Sequence, residues 1–182
     1  MMYNIILSIN KLSCRLKKMD IYRKAYTLRF PDEIKIRNDD EKRLLTTADG
    51  VDNLENKINS RQYCDPPKTK DENRESKGKY IWVIMQMNTP MILEYAAAGD
   101  TLESKRVTHT NLTGGKAAYC GGEVWFNNGG NDIYVSGKSG RYPARSLEEL
   151  NEVCKALGRI GYNVINLGWD EDINQASGYL RR

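Results

Sequence analysis

Tyr80-Ile81-Trp82-Val83-Ile84-Met85, followed across Asn88-Thr89-Pro90 by Met91-Ile92-Leu93-Glu94-Tyr95, decides the fold reading of this chain. The first run is wholly apolar and rich in β-branched and aromatic residues, which suits a buried strand. The Asn-Thr-Pro segment supplies turn chemistry, so the two runs form a hairpin. Glu123-Val124-Trp125-Phe126 and Ile133-Tyr134-Val135-Ser136 repeat the pattern across Asn127–Asp132, where Gly and Asn adopt positive φ cheaply. Ser146-Leu147-Glu148-Glu149 then fits a capping box: the serine hydroxyl accepts from the backbone of Glu149, and Glu149 reaches back. Leu147, Leu150, Val153, Cys154 and Leu157 form one apolar stripe of a helix that Gly158 can end, and Tyr162–Leu167 reads as a last strand. Hairpin, hairpin, helix and strand imply an α+β fold, a largely antiparallel sheet of hairpins with one well-capped C-terminal helix.

Outward from this core the composition shifts. Of the 182 residues, 28 are Lys or Arg and 24 Asp or Glu, a net charge of +4. Residues 1–79 carry 18 basic and 13 acidic residues, a net of +5, whereas residues 80–182 carry 10 and 11, a net of −1. The chain therefore divides into a basic, partly ordered N-terminal region (1–64), a polar linker or loop (65–79) opened by Pro66-Pro67, and a glycine-rich core domain (80–182). Lys11, Arg15, Lys17, Lys18, Arg23 and Lys24 hold most of the basic excess and read as a solvated arm. Nucleic-acid contact through that arm is the lesser reading, since no aromatic interleaving or recognised motif accompanies it. Ile5, Ile6, Leu7 and Ile9 precede their basic residues, the reverse of a secretory signal, and Met19-Asp20 offers an alternative start. No apolar run approaches a membrane span. Cys14, Cys64, Cys120 and Cys154 are widely spaced, so a reduced, cytoplasmic protein is the simplest expectation. The single histidine excludes zinc sites that need two, and no cofactor can be named.

Three glycine-rich segments hold the candidate chemistry: Val107–Gly115, Tyr119–Glu123 and Ser136–Tyr142. His109 can serve as acid, base or donor near neutral pH. Glu123 opens a strand after two glycines and can face a cleft as the carboxylate. Tyr142 can stack on or hydrogen-bond a ligand, which makes His109, Glu123 and Tyr142 the candidate catalytic set. Thr110, Gly114, Gly115, Lys138, Ser139 and Arg141 are the candidate ligand-binding residues, suited to a small anionic or nucleotide-like group. Plainer roles compete: His109 as a buried hydrogen-bonding residue, Glu123 as an ion-pair partner of Arg141 or Lys116, Cys120 as a small buried thiol rather than a nucleophile. Gly137-Lys138-Ser139-Gly140 lacks the spacing and the following helix of a P-loop.

His109-Thr-Asn-Leu-Thr-Gly-Gly115, Gly121-Gly-Glu123 and Ser139-Gly-Arg-Tyr-Pro143 before a helix resemble a recurring bacterial domain with effector-like and toxin-like members. A similar block occurs in the plant IQ-motif calmodulin-binding proteins called IQM. The resemblance covers roughly residues 80–165. It aligns His109, Gly114, Gly115, Glu123, Ser139, Gly140 and Tyr142 with the motif positions, while Arg141 stands where that domain carries a second histidine. The chain has no IQ motif, so calmodulin binding is not implied.

Two functions follow as expectations. The first is an effector- or toxin-like domain acting on a nucleotide-like or phosphorylated ligand, with ADP-ribosyl transfer or NAD hydrolysis as its reactions, although the His–Glu–Tyr order here differs from the His–Tyr–Glu order of such transferases. The second is a non-catalytic module that binds a small ligand or a protein partner.

Overall fold

The computed structural model describes residues 18–57 and 61–180. The apolar run at Ile5–Ile9, the cations Lys11, Arg15 and Lys17, and Cys14 lie outside the described residues. The fold is α+β, as expected. A six-stranded sheet contains β1 (Asp52–Asn53), β2 (Tyr80–Val83), β3 (Pro90–Leu93), β4 (Gly121–Asn127), β5 (Asp132–Ser136) and β6 (Asn163–Asn166). Its order is β1-β3-β2-β4-β5-β6, antiparallel throughout except for the β5–β6 pair. A small hairpin, β7 (Trp169–Asp170) with β8 (Gln175–Ala176), stands apart from it. The helices are α1 (residues 18–25), α2 (Lys70–Glu75), α3 (His109–Thr113) and α4 (Leu147–Ile160). No helix among the described residues is long and apolar enough to cross a membrane.

The apolar run at 80–85 is buried on both sides because the sheet has two cores. Tyr80, Trp82 and Ile84 join Met19 and Tyr22 of α1 and Leu150, Val153 and Leu157 of α4 in one. Ile81 and Val83 join Ile92, Leu102, Val107, Leu112 and Tyr142 in the other. Alternate side chains of a strand point to opposite faces, so a strand between two cores must be apolar at every position. Each such side chain, fully buried, contributes roughly 1.5–3 kcal/mol.

The β4–β5 turn passes through Asn128, Gly129 and Gly130, all at positive φ (48°, 65° and 77°), which explains its Asn/Gly composition. In α4 the Ser146 hydroxyl accepts from Glu149 N at 3.1 Å as the capping box requires. Glu149 reaches one residue further than expected, taking Arg145 N (2.6 Å) and the Tyr22 hydroxyl (3.0 Å). Gly158 does not end the helix; Gly161, at φ 117°, does. Burial of Ile160 one turn beyond Leu157 outweighs the roughly 1 kcal/mol that a helical glycine costs. The buried stripe is Leu150, Val153, Ala156, Leu157 and Ile160, while Leu147 is largely exposed.

The stretches outside residues 80–182 are structured differently from the expectation. Residues 65–79 are not a plain linker. Thr69 caps α2 through Glu72 N (3.2 Å), Asn73 and Lys79 are buried, and Leu180 N donates to Pro67 O (2.8 Å). Polar hydrogen bonds hold this segment, so its composition carries no apolar signal. Met19, Tyr22, Leu45 and Leu54 belong to the cores, and β1 extends the sheet. Arg23 is no solvated arm residue: it is buried, ion-paired with Glu55, and donates to Met85 O at 2.8 Å.

Gly121 and Gly122 are required by close packing. A methyl on Gly121 would lie 2.7 Å from Trp82 O, and one on Gly122 would collide with the Ser136 carbonyl oxygen and meet the Trp82 ring at 2.7 Å. Gly140 has open space and no positive φ. Gly122→Ala is therefore expected to destabilise the fold by about 3 kcal/mol or more. Gly140→Ala should stay within about 0.5 kcal/mol of the parent in urea denaturation.

Candidate functional site

α3 is a short helix whose five residues are all buried. Asn111 Oδ1 accepts from Thr108 N (2.9 Å), and Asn111 Nδ2 donates to Asp40 O (2.8 Å) and Arg43 O (3.0 Å), which anchors the helix to the segment before β1. This places His109 against β4, with Nε2 2.9 Å from Gly122 O. A carbonyl only accepts, so Nε2 carries the proton and Nδ1 is the acceptor. Burial pushes the imidazole pKa down to about 4; the Gly122 carbonyl opposes the shift, while Arg141 and Lys79 add to it. At neutral pH His109 is uncharged.

Glu123 pairs in register with Ile81 on one side and Ser136 on the other. It is only 7% exposed, and burial raises its pKa against the opposing pull of Lys79 and Asn73. Asn73 Nδ2 donates to Oε2 at 2.8 Å and Lys79 Nζ to Oε1 at 3.3 Å. Lys79 also lies 2.7 Å from Glu94, which faces Arg106 at 3.5 Å. Burial alone would lower the Lys79 pKa, but the carboxylates of Glu123 and Glu94 outweigh it and raise the value. The ammonium is held charged between two carboxylates.

His109 and Glu123 line one small cavity of about 120 Å³ together with Glu94, Arg106, Lys138, Ser139 and Arg141. The loop after β5 presents the last three. Ser136 Oγ accepts from Lys138 N (3.0 Å), and Ser139 Oγ accepts from Tyr142 N (3.0 Å) and Arg141 N (3.3 Å). Arg141 is paired with buried Glu41 at 2.5 Å. The half-buried Lys138 ammonium makes no direct hydrogen bond or ion pair among the described residues, but its charge favours the ionised form of Glu123. A second cavity of about 540 Å³, which includes Lys35 and Arg37, shares Lys138, Ser139, Gly140 and Arg141 with the first.

The structure thus brings together His109, Glu123, Lys138, Ser139 and Arg141. It does not bring in Tyr142, Thr110, Gly114 or Gly115. Tyr142 is fully buried in the second core, its hydroxyl 2.8 Å from both Thr113 Oγ1 and Lys116 O, and burial raises its pKa. Thr110 is inside α3's packing, with its hydroxyl 3.0 Å from Thr108 Oγ1. Gly114 and Gly115, at φ 62° and 74°, end α3 against Leu44 and Lys42. The partner of Glu123 is Lys79 rather than Arg141 or Lys116. Cys120 is a buried thiol 3.0 Å from the Tyr22 hydroxyl, pushed up to about 12 by burial, and so is no nucleophile. Lys79, Glu94, Asn73 and Glu41 were missed. The one local signal was Glu94 closing the otherwise apolar run Met91–Leu93.

Two tests follow from these charges. The unfolded chain protonates His109 near pH 6.5 and the folded chain only near 4, so His109 contributes stability above pH 6.5 that is lost as pH falls toward 4. The loss is on the order of 3 kcal/mol. Urea titrations between pH 7.5 and 4.5 should show it in the parent and lack it in His109→Gln. Lys79→Met leaves buried Glu123 without its ammonium and is expected to cost about 3–5 kcal/mol; adding Glu123→Gln should recover part of that in the same assay. In comparisons with known proteins, no family model, no curated sequence and no solved structure matches this chain.

Proposed function

We infer that the chain binds a phosphorylated or nucleotide-like anion at the Lys138–Arg141 loop and acts on it beside His109 and Glu123. The observation that carries this reading is Lys138, which makes no direct ion pair among the described residues and lines both the small cavity of His109 and Glu123 and the 540 Å³ cavity of Lys35 and Arg37. The small cavity has room for one phosphate- or carboxylate-sized group, and the larger one is of the size that holds a metabolite. Of the other cations of the small cavity, Arg141 is paired with Glu41 and Arg106 faces Glu94. Lys138 bonds no carboxylate directly and is the cation this reading assigns to the ligand. Neutral His109 would contribute Nδ1 as an acceptor, and Glu123 a carboxylate held in place by Asn73 and Lys79. ADP-ribosyl transfer and NAD hydrolysis remain the proposed reactions, and the effector- or toxin-like role rests on the motif resemblance at residues 109–143.

A second reading, a non-catalytic binding module, is favoured by Glu123 being occupied by two internal partners. Calorimetric titration of the full chain with AMP separates the cases. Binding that weakens tenfold or more in Lys138→Glu is expected; equal affinity of parent and variant, or no binding by either, overturns the reading. If NAD is consumed by the parent but not by His109→Ala or Glu123→Gln, while both variants still bind AMP, the site is catalytic. Binding without turnover makes it a module.

A further inference from the structure

Ser177–Leu180, the segment after β8, lines none of the cavities above, yet it touches the groups on which the anion reading depends. Ser177 N donates to Gly168 O (2.9 Å), continuing the β7–β8 pairing. The Ser136 hydroxyl donates to Ser177 O (2.6 Å) and accepts from Lys138 N (3.0 Å), so one buried side chain ties the segment to the Lys138 loop. Asn73 Nδ2 donates to Gly178 O (2.5 Å) and to Glu123 Oε2 (2.8 Å), so a second ties it to the carboxylate. Leu180 N donates to Pro67 O (2.8 Å). Lys138 and Asn73 converge on buried Gly178. A methyl there would lie 2.8 Å from Lys138 Cδ, 3.1 Å from Lys138 Nζ and 3.0 Å from Asn73 Nδ2. Gly178 has no positive φ, so the missing side chain serves packing and not backbone conformation.

Resting on the anion reading above, we propose that Ser177–Leu180 is a positioning strap for that site, and that Gly178 is the positioning residue that leaves room for the Lys138 ammonium in the cavity of His109 and Glu123. A free lysine loses side-chain freedom when it grips an anion, and a stem already packed against the strap loses less of it on binding. The strap also aims the Glu123 carboxylate through Asn73, so one segment sets both charges. The clash at Gly178 differs in kind from those at Gly121 and Gly122. Those two glycines face backbone carbonyls in the sheet, whereas Gly178 faces the ends of two side chains. A carbonyl in a sheet cannot yield, but a lysine tip moves to another rotamer. A methyl at Gly178 therefore displaces the Lys138 ammonium before it unfolds the chain. The charge of Lys138, with Lys79 and Asn73, favours the ionised form of Glu123 against burial and Glu94, which gives a readout that needs no ligand.

Two measurements on the full chain test the strap. In calorimetric titration, Gly178→Ala is expected to bind AMP about fivefold or more weakly than the parent, while its unfolding midpoint in urea stays close to the parent's. In a Lys138→Ala background no lysine tip remains to be displaced, so adding Gly178→Ala should weaken AMP by about twofold at most. Without ligand, carboxyl-carbon NMR follows the titration of Glu123. Its midpoint should rise in Lys138→Ala and in Gly178→Ala, because each withdraws positive charge from the carboxylate. A midpoint unchanged in either variant overturns the strap. So does a Gly178→Ala chain that binds AMP as the parent does, or one that loses as much affinity in the Lys138→Ala background, the mark of a purely structural role. If the parent binds no AMP, the anion reading falls and the Glu123 midpoint alone decides whether Gly178 positions Lys138. Ser136→Ala unties the strap from the loop without adding an atom. It should weaken AMP and raise the Glu123 midpoint likewise, and it takes the place of Gly178→Ala if that chain does not fold.

Discussion

The antiparallel pairing of β2 with β4, closed on both faces, is the constraint on which the rest of the structure depends. It exists only because Gly121 and Gly122 carry no side chain where Trp82 and the Ser136 carbonyl press in. With both faces closed, every outward position on these strands becomes an inward one. Ile81 accepts this without penalty; its neighbour Glu123 does not. A carboxylate withdrawn from water loses several kcal/mol of hydration, which only an opposite charge with good hydrogen bonds offsets. Lys79 and Asn73 supply both. The polar segment 65–79 is thus ordered by a demand from the sheet rather than by its own composition.

That same demand places the cavity. Three segments distant in sequence meet there: α3 with neutral His109, β4 with Glu123, and the loop after β5 with Lys138, Ser139 and Arg141. Their charges are unevenly settled. Lys79, Arg106 and Arg141 each face a carboxylate within 4 Å, while Lys138 acts on Glu123 through space without a direct ion pair. The proposed anionic ligand rests on Lys138, the cation of this cavity that makes no direct ion pair among the described residues.

Much of the fold was legible in the sequence. The run Tyr80–Met85, the Asn-Gly turn at 127–132 and the serine cap at 146 are local signals, and each became the element it described. The helix end at Gly161 instead of Gly158 shows tertiary packing overriding a local breaker, since Ile160 had a core to enter. The candidate site was half legible. His109 and Glu123 stand out as rare residue types beside glycines, and they do share a cavity. Tyr142 stood in an equally suggestive loop, yet an aromatic ring with a second core beneath it is buried there.

By itself the sequence determined the α+β class, the hairpins, the capped helix and the location of the unusual chemistry, because hydrophobic period and turn propensity act over a few residues. Only the tertiary structure decided which charges meet. Lys79 reaches Glu123 across 44 residues and Glu41 reaches Arg141 across 100. Neither pairing leaves a local trace, because an ion pair needs proximity in space and no particular spacing along the chain. The roles of the glycines were decided there too. The same residue type ends α3 at Gly114, admits a neighbouring strand at Gly122 and lines a cavity at Gly140, and what distinguishes the three is the backbone that surrounds them.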